Sequence, residues 1–379
     1  MDKILILGAG NAQIDLIRYC RESGMEVYCC SYTETDPGIR FADHFARIDI
    51  VDREKIESYF RDNRINMIYS VGSDIAVPVL SAVAENTQTP SFVSPESAEA
   101  CCDKGRMRNL LKGKRFNPSF IIGSDPEAIL KEAKDRMVWP AKIKPVDSQG
   151  QRGVARVDNP KEMRKCFQSA MNYSRKGEVI LEEYIDGREV SLNAHLLDGE
   201  ILCSVLTDRE VWPEFPGGII RRHHFPSRYE NSDVHRKILD LVREAADVTG
   251  LSNGPIYAQI MIRDDSPYLI EVTPRLDGCH LWRLIREACG VDLLDMAMNH
   301  LRFGDPFRGR STSGISFRIP DRSAYHLEFH CQATGEKVDS RAFCKKDALY
   351  RCMYYEDGEA VKPVNGFMEK CGYRIYEEK

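Results

Sequence analysis

The chain has 379 residues, of which 42% are hydrophobic and 29% charged, with a formal net charge of −5. That length accommodates two or three domains with a buried core in each. The charge balance excludes a positive field for nucleic acid, since basic residues gather no further than pairs such as Arg221-Arg222 and Lys345-Lys346. Nowhere do about 18 apolar residues run uninterrupted, so no membrane span is expected.

In chain order, "KILILGAG" reads as a strand and turn, "NAQIDLIRYCRESG" as an amphipathic helix and "MEVYCCSY" as a second strand. "DREKIESYFRDNR" is a helix with a charged face, followed by the strand "INMIYSVG" and a helix over 74–86. Such alternation predicts a doubly wound parallel sheet. The stretch "TQTPSFVSPESAEACCDK" marks a boundary near residue 95. A second unit, about 117–186, holds the strand "WPAKIKPV", the glycine loop "DSQGQRGVARV", a helix and the strand "EVILEEYI". Beyond it, "REVSLNAHLLDGEILCSVLTD" is a hairpin around Asp198-Gly199. A helix follows at 233–250, then the strands "IYAQIMIRDD" and "PYLIEVTP" and a helix around "HLWRLIREACG". Residues 306–379 read as a β-rich tail. The apolar run at the start is too short for a signal peptide, and the 13 cysteines never form C-x-x-C, so reduced thiols in a cytoplasm are expected.

Gly8-Ala9-Gly10 suggests a dinucleotide turn, but Gln13 stands where a third glycine would be needed, and "CCSY" offers no acid for a ribose. Four later features point to polyphosphate. Lys104 heads a helix at the boundary. Lys142 and Lys144 alternate onto one face of an otherwise apolar strand, a costly placement unless they meet anions. Gly150 and Gly153 give a loop whose backbone N–H groups can wrap phosphates. Glu182, Glu183 and Glu189 leave the next strand as acceptors for an adenine amino group or ribose hydroxyls. A surface lysine, an ordinary hairpin loop and solvated turn charges are the competing accounts of these features one at a time. Finally, a turn at 264–267 would set Gln259 beside Glu271, an oxygen pair suited to Mg2+ with substrate phosphates. Thr273 shares the face of Glu271, and Arg275 beyond Pro274 can hold a developing phosphate or a substrate carboxylate.

Taken in order, "DKGRMRNLL", "KIKPVDSQGQRGV", "VILEEYIDGREVS" and "YAQIMIRDDSPYLIEVTPR" resemble the ATP-grasp superfamily over about residues 3–305. The segment "SVGSDIAVPVLSAVAE" looks like the domain preceding the grasp in carbamoyl-phosphate-synthase-like members. The resemblance implies an α/β architecture: a pre-ATP-grasp Rossmann-like domain (1–95), an ATP-grasp domain (96–305) with a lid at about 117–186, and the β-rich segment 306–379. It implies an ATP-dependent ligase that makes an acyl phosphate from a carboxylate for capture by an amine or thiol. Lys104 and Lys144 would bind ATP phosphates under Gly150 and Gly153. Glu182, Glu183 and Ile185 would form the adenine hinge, and Glu189 would reach the ribose. Gln259, Glu271 and Thr273 would ligate Mg2+, with Mn2+ as a substitute, and Arg275 would act with Lys144 in catalysis. Thr273 departs from the family's usual asparagine. For the substrate, "FPGGIIRRHHFPS" offers Arg221 and Arg222, and "LDGCHLW" offers His280, against the reading of a solvated basic loop. Small-molecule partners are expected, without nucleic acid or membrane, and a homodimer is compatible. A kinase acting on bicarbonate or carbamate and a nucleotide binder without turnover are the alternatives.

Overall fold

The computed structural model describes residues 1–148, 150, 152–212, 218–308, 323–343, 347–363 and 368–378. Strands β1 (Lys3–Leu7), β2 (Glu26–Ser31), β3 (His44–Arg47) and β4 (Met67–Tyr69) form a parallel sheet in the order β3-β2-β1-β4. Helices α1 (Ile14–Glu22), α2 (Arg53–Asp62) and α3 (Val77–Thr87) cover it. The continuous apolar run of β1 follows from burial on both faces. Ile4 and Ile6 pack with Leu16 and Ile17 of α1, while Leu5 and Leu7 pack with Ile56 and Phe60 of α2.

Two short helices, α4 (Pro95–Cys102) and α5 (Lys104–Leu110), lead into a second sheet. Asp103 caps α5 by accepting the Arg106 N–H at 2.9 Å, which fixes Lys104 at the first helical position. The second sheet is antiparallel, with β5 (Phe120–Gly123), β6 (Ala141–Pro145), β7 (Ala155–Val157) and β8 (Val179–Glu183) in the order β5-β8-β6-β7. Its apolar face (Ala141, Ile143, Val179, Leu181) packs on α6 (Pro126–Arg136) and α7 (Pro160–Asn172). Strand alternation therefore turns Lys142, Lys144 and Glu182 to the other face.

The third sheet is built from β9 (Arg188–Leu197), β10 (Glu200–Val211), β11 (Ile220–Phe225), β12 (Gly254–Arg263), β13 (Ser266–Thr273), β14 (Ala324–Ala333), β15 (Ala348–Met353) and β16 (Met368–Glu378). Their order is β13-β12-β9-β10-β11-β14-β16-β15. Helix α8 (Asp233–Thr249) lies between β11 and β12 in the chain, and α9 (Leu281–Cys289) and α10 (Leu293–Phe303) follow β13. Both predicted hairpins form. Asp198-Gly199 and Asp264-Asp265 take positive φ at both turn positions, the two-residue geometry that matches strand twist. On one face Val190, Leu192, Ile256, Ala258 and Ile260 pack on Ile238, Leu241 and Val242 of α8. The opposite face packs partly on α9 and α10 and elsewhere forms the floor of a cleft.

Several elements differ from the sequence reading. The helix expected over 74–86 is a 3-10 turn (Asp74–Ala76) followed by α3. Strand β3 was not anticipated, nor were β5 and α6. The end of the expected loop "DSQGQRGVARV" is β7, paired with Ala141–Ile143, while Gln149 and Gln151 of that loop lie outside the described residues. The tail's strands β14, β15 and β16 continue the third sheet, β14 pairing with β11 from Arg222↔Glu328 to Phe225↔Tyr325. Pairing across about a hundred residues leaves no local pattern to read.

Candidate active site

A cleft of about 2240 Å3 opens between the three sheets. Its floor is the polar face of β9, β10, β12 and β13. Tyr257, Gln259 and Met261 point into it because their neighbours Ile256, Ala258, Ile260 and Ile262 are committed to the core beneath. The register sets Gln259 opposite Glu271 and Tyr257 opposite Thr273. A bulge shifts the pairing between Gln259 and Ile260, so that Leu269 pairs with Ile260 and Ile270 is the extra residue. That single extra residue lets Leu269 and Val272 both reach the core while Glu271 lines the cleft. Among the described residues the buried Thr273 hydroxyl has no hydrogen-bond partner, a costly state unless something else meets it. Beside it, a cavity of about 10 Å3, the volume of one water, is bounded by Glu271, Thr273, Lys104, Ser148, Asp147 and Asp74.

The roof is the polar face of the second sheet. Lys104 Nζ donates to the Ser148 carbonyl at 2.7 Å, tying α5 to the glycine loop. Gly150 (φ +68) has open space around it, whereas Gly153 (φ +70) is wedged among Pro145, Tyr173 and Ala170. Lys144 is buried and paired with Glu182 Oε2, and Glu182 Oε1 accepts from Arg108 Nε at 2.9 Å. Burial would raise the Glu182 carboxyl, but the Arg108 and Lys144 charges outweigh it and hold the group at about 2. Burial, with Arg108 and Lys142 nearby, brings Lys144 down to about 8 in spite of Glu182. Arg108 also donates to the Ile270 carbonyl at 2.9 Å, joining α5, β8 and the bulge of β13.

The other sequence candidates fall into two groups. Glu183, Ile185 and Glu189 line the cleft. Glu183 faces away from Glu182 and pairs with Arg263 at 2.9 Å. Glu189 pairs with Arg209 and accepts from the Gln259 amide, which leaves the amide oxygen as the only metal-ligating atom of Gln259. Arg275 lines the cleft too, but its guanidinium is engaged. Nε donates to Asp74 Oδ1 at 2.8 Å and Nη1 to the Leu276 carbonyl at 3.2 Å. Burial disfavours its charge, yet the carboxylates of Asp74 and Glu271 raise its pKa further above the usual arginine value.

The three substrate candidates do not line the cleft. Arg221 bonds Glu210 at 3.1 Å and stacks over Trp212, and Arg222 bonds Glu328 at 3.0 Å. His280 is buried between Asp15 (2.9 Å) and the Tyr354 hydroxyl (2.7 Å) and stacks on Tyr373. The beginning of "FPGGIIRRHHFPS" lies outside the described residues. The sequence reading missed Arg108, Asp74, Arg209 and the cleft residues of the tail, Tyr354, Lys362 and Lys370. Arg108 alone left a local signal, four residues after Lys104 and therefore on the same side of α5.

The cleft joins a cationic roof to a floor of acid, amide and hydroxyl, the arrangement of a protein that handles a polyanion with a cation. Comparison with known families narrows that class. Residues 137–281 match the ATP-grasp domain, and the chain carries an ATP-grasp domain. It is similar to a formate-dependent phosphoribosylglycinamide formyltransferase of Mycolicibacterium gilvum, 24% identical over 286 residues, covering 72% of this chain and 69% of that protein. Two further relatives are matched over less than half of their length, 41% and 47%. Among solved structures, the L-amino acid ligase of Bacillus licheniformis superposes with a TM-score of 0.76 at 16% identity, over 100% of this chain and 93% of that one. The biotin carboxylase domain of the Hydrogenobacter thermophilus 2-oxoglutarate carboxylase, in complex with MgADP, ADP and bicarbonate, gives 0.77 at 16% identity, over 100% and 86%.

Proposed function

We propose that the protein is an ATP-dependent ligase that activates a carboxylate as an acyl phosphate for attack by an amine or thiol. One observation carries the reading. The paired Gln259 and Glu271 share a cleft with Lys104 and Lys144, and the Thr273 hydroxyl, without a partner among the described residues, borders a small cavity with Glu271 and Lys104. In this reading Lys104 and Lys144 receive ATP phosphates beneath Gly150 and Gly153, Ile185 borders the adenine and Glu189 the ribose. Glu182 holds Lys144 and Arg108 in place. Gln259, Glu271 and Thr273 form an oxygen donor set that fits Mg2+, with Mn2+ as a substitute. Bound there, Mg2+ would neutralise phosphate charge.

A carboxylate oxygen of the substrate bonds to the γ-phosphorus and ADP departs with the bridging oxygen. The amine or thiol then adds to the acyl carbon and phosphate leaves. Arg275 and Lys144 meet the charge that moves during transfer, so the protein's part is positioning and neutralisation. The names of the relatives, a formate-dependent transferase and an L-amino acid ligase, support carboxylate chemistry, and the neighbour holding MgADP supports the metal. The partners are small molecules. Among the described residues no helix is long and apolar enough to cross a membrane; a cytoplasmic location belongs to the same reading. The test is chromatography of spent nucleotide over a screen of acid and amine pairs. ADP and phosphate are expected only when a true pair is present. Stoichiometric AMP would overturn the scheme.

A further inference from the structure

Arg275 is held by a residue from a different part of the chain. Asp74 stands in "GSDIA", directly after the first sheet, 201 positions upstream. Its Oδ1 takes both Nε at 2.8 Å and Nη2 at 2.5 Å of the guanidinium. The backbones that carry the two residues are in direct contact. Gly72 N–H donates to the Leu276 carbonyl at 3.1 Å, and a Cβ on Gly72 would lie 2.6 Å from Gly278 Cα. Asp74 also borders the small cavity shared by Glu271, Thr273 and Lys104. The first unit of the chain therefore presses a loop against the loop that carries Arg275 and sets a carboxylate on its guanidinium.

We propose that Asp74 is a positioning residue that aims Arg275 and withholds part of its charge until the terminal phosphoryl group arrives. The proposal rests on the ATP reading above. A carboxylate on the guanidinium competes with a phosphate for the same N–H groups. It also fixes the plane of a side chain that would otherwise sample several rotamers in the cleft. Removing the competitor should tighten the grip on the phosphate, and removing the guide should slow transfer. The two effects have opposite signs, which a merely structural contact would not produce.

The experiment compares the full-length parent with Asp74→Asn, Arg275→Gln and the double variant. Asparagine keeps the shape and an acceptor oxygen, and thermal melting reports how much stability the lost charge costs. Binding is measured by calorimetry with a non-hydrolysable ATP analogue and, separately, with ADP, each with Mg2+. Asp74→Asn should bind the analogue about tenfold tighter while ADP affinity stays unchanged, because ADP lacks the terminal phosphate. The gain should vanish in the double variant, since Asp74 acts through Arg275. Once a substrate pair is known, kcat of Asp74→Asn should fall while KM for ATP falls with it. If the parent binds the analogue and Asp74→Asn shows the same ratio of analogue to ADP affinity, this inference is wrong and the ATP reading stands. If the parent binds neither nucleotide, the ATP reading itself fails.

Discussion

Replacing Glu182 by glutamine tests how the roof of the cleft is held together. The carboxylate is buried between two cations that are also buried, Arg108 and Lys144, so the three form a closed unit with a single negative charge. Glutamine keeps the volume but cancels that charge and leaves two cations facing each other out of water. Breaking a buried pair by removing one partner costs about 3–5 kcal/mol. For a unit of 150–250 residues each kcal/mol shifts Tm by about 2–4 °C, so a fall of roughly 6–20 °C is expected. Adding Arg108→Met should recover part of the loss, because one orphaned cation goes with it. The pH dependence has a definite sign. Glu182 is depressed from 4.5 to about 2 in the folded protein, so its contribution is complete above 4.5 and is lost as pH falls toward about 2. The difference between parent and Glu182→Gln should therefore shrink across that window. Differential scanning calorimetry measures it. A Tm within about 2 °C of the parent at neutral pH would refute the argument.

Three further outcomes follow from other residues. Lys144 titrates at about 8, so in the nucleotide-free protein its phosphate-attracting form is lost as pH rises through that value. Affinity for Mg-ATP should weaken over the same range, and Lys144→Met should bind weakly at every pH, both read by calorimetry. Thr273→Val removes a buried hydroxyl without a partner among the described residues, so the apo protein should gain about 1 kcal/mol or more in thermal melts while Mg-dependent nucleotide binding weakens. Gly72→Ala meets both a positive φ of +68° and the Gly278 backbone, and should cost about 2–3 kcal/mol. Gly24→Ala, at φ +76° with nothing within 4 Å, should cost about 1 kcal/mol and serves as its control.

The sequence disclosed most where a local rule sufficed. Alternation placed Lys142 and Lys144 opposite the apolar residues of β6, and the burial of Ala141 and Ile143 agrees with it. A turn at Asp264-Asp265 predicted Gln259 beside Glu271, and the register pairs them. Phase counting carried Glu271 and Thr273 to one side because the bulge falls at Ile270, before both; a bulge one residue later would have parted them. What failed was long range. Strand β14 joins β11 across about a hundred residues, a pairing with no local signature.

The same boundary separates the placements that a local pattern reaches from the charge pairings that it does not. A sequence shows which ionisable residues approach a cleft, since burial of their neighbours forces them there. It does not show which charges cancel. Glu182 read as an acceptor for a ligand because its partner Arg108 sits 74 positions away on a helix with its own local explanation. Arg275 read as open to phosphate because Asp74 is 201 positions away. His280 read as a cleft residue because Asp15 and Tyr354, which bury it, come from the first helix and the tail. In each case the pairing is made by the docking of separate units of the chain.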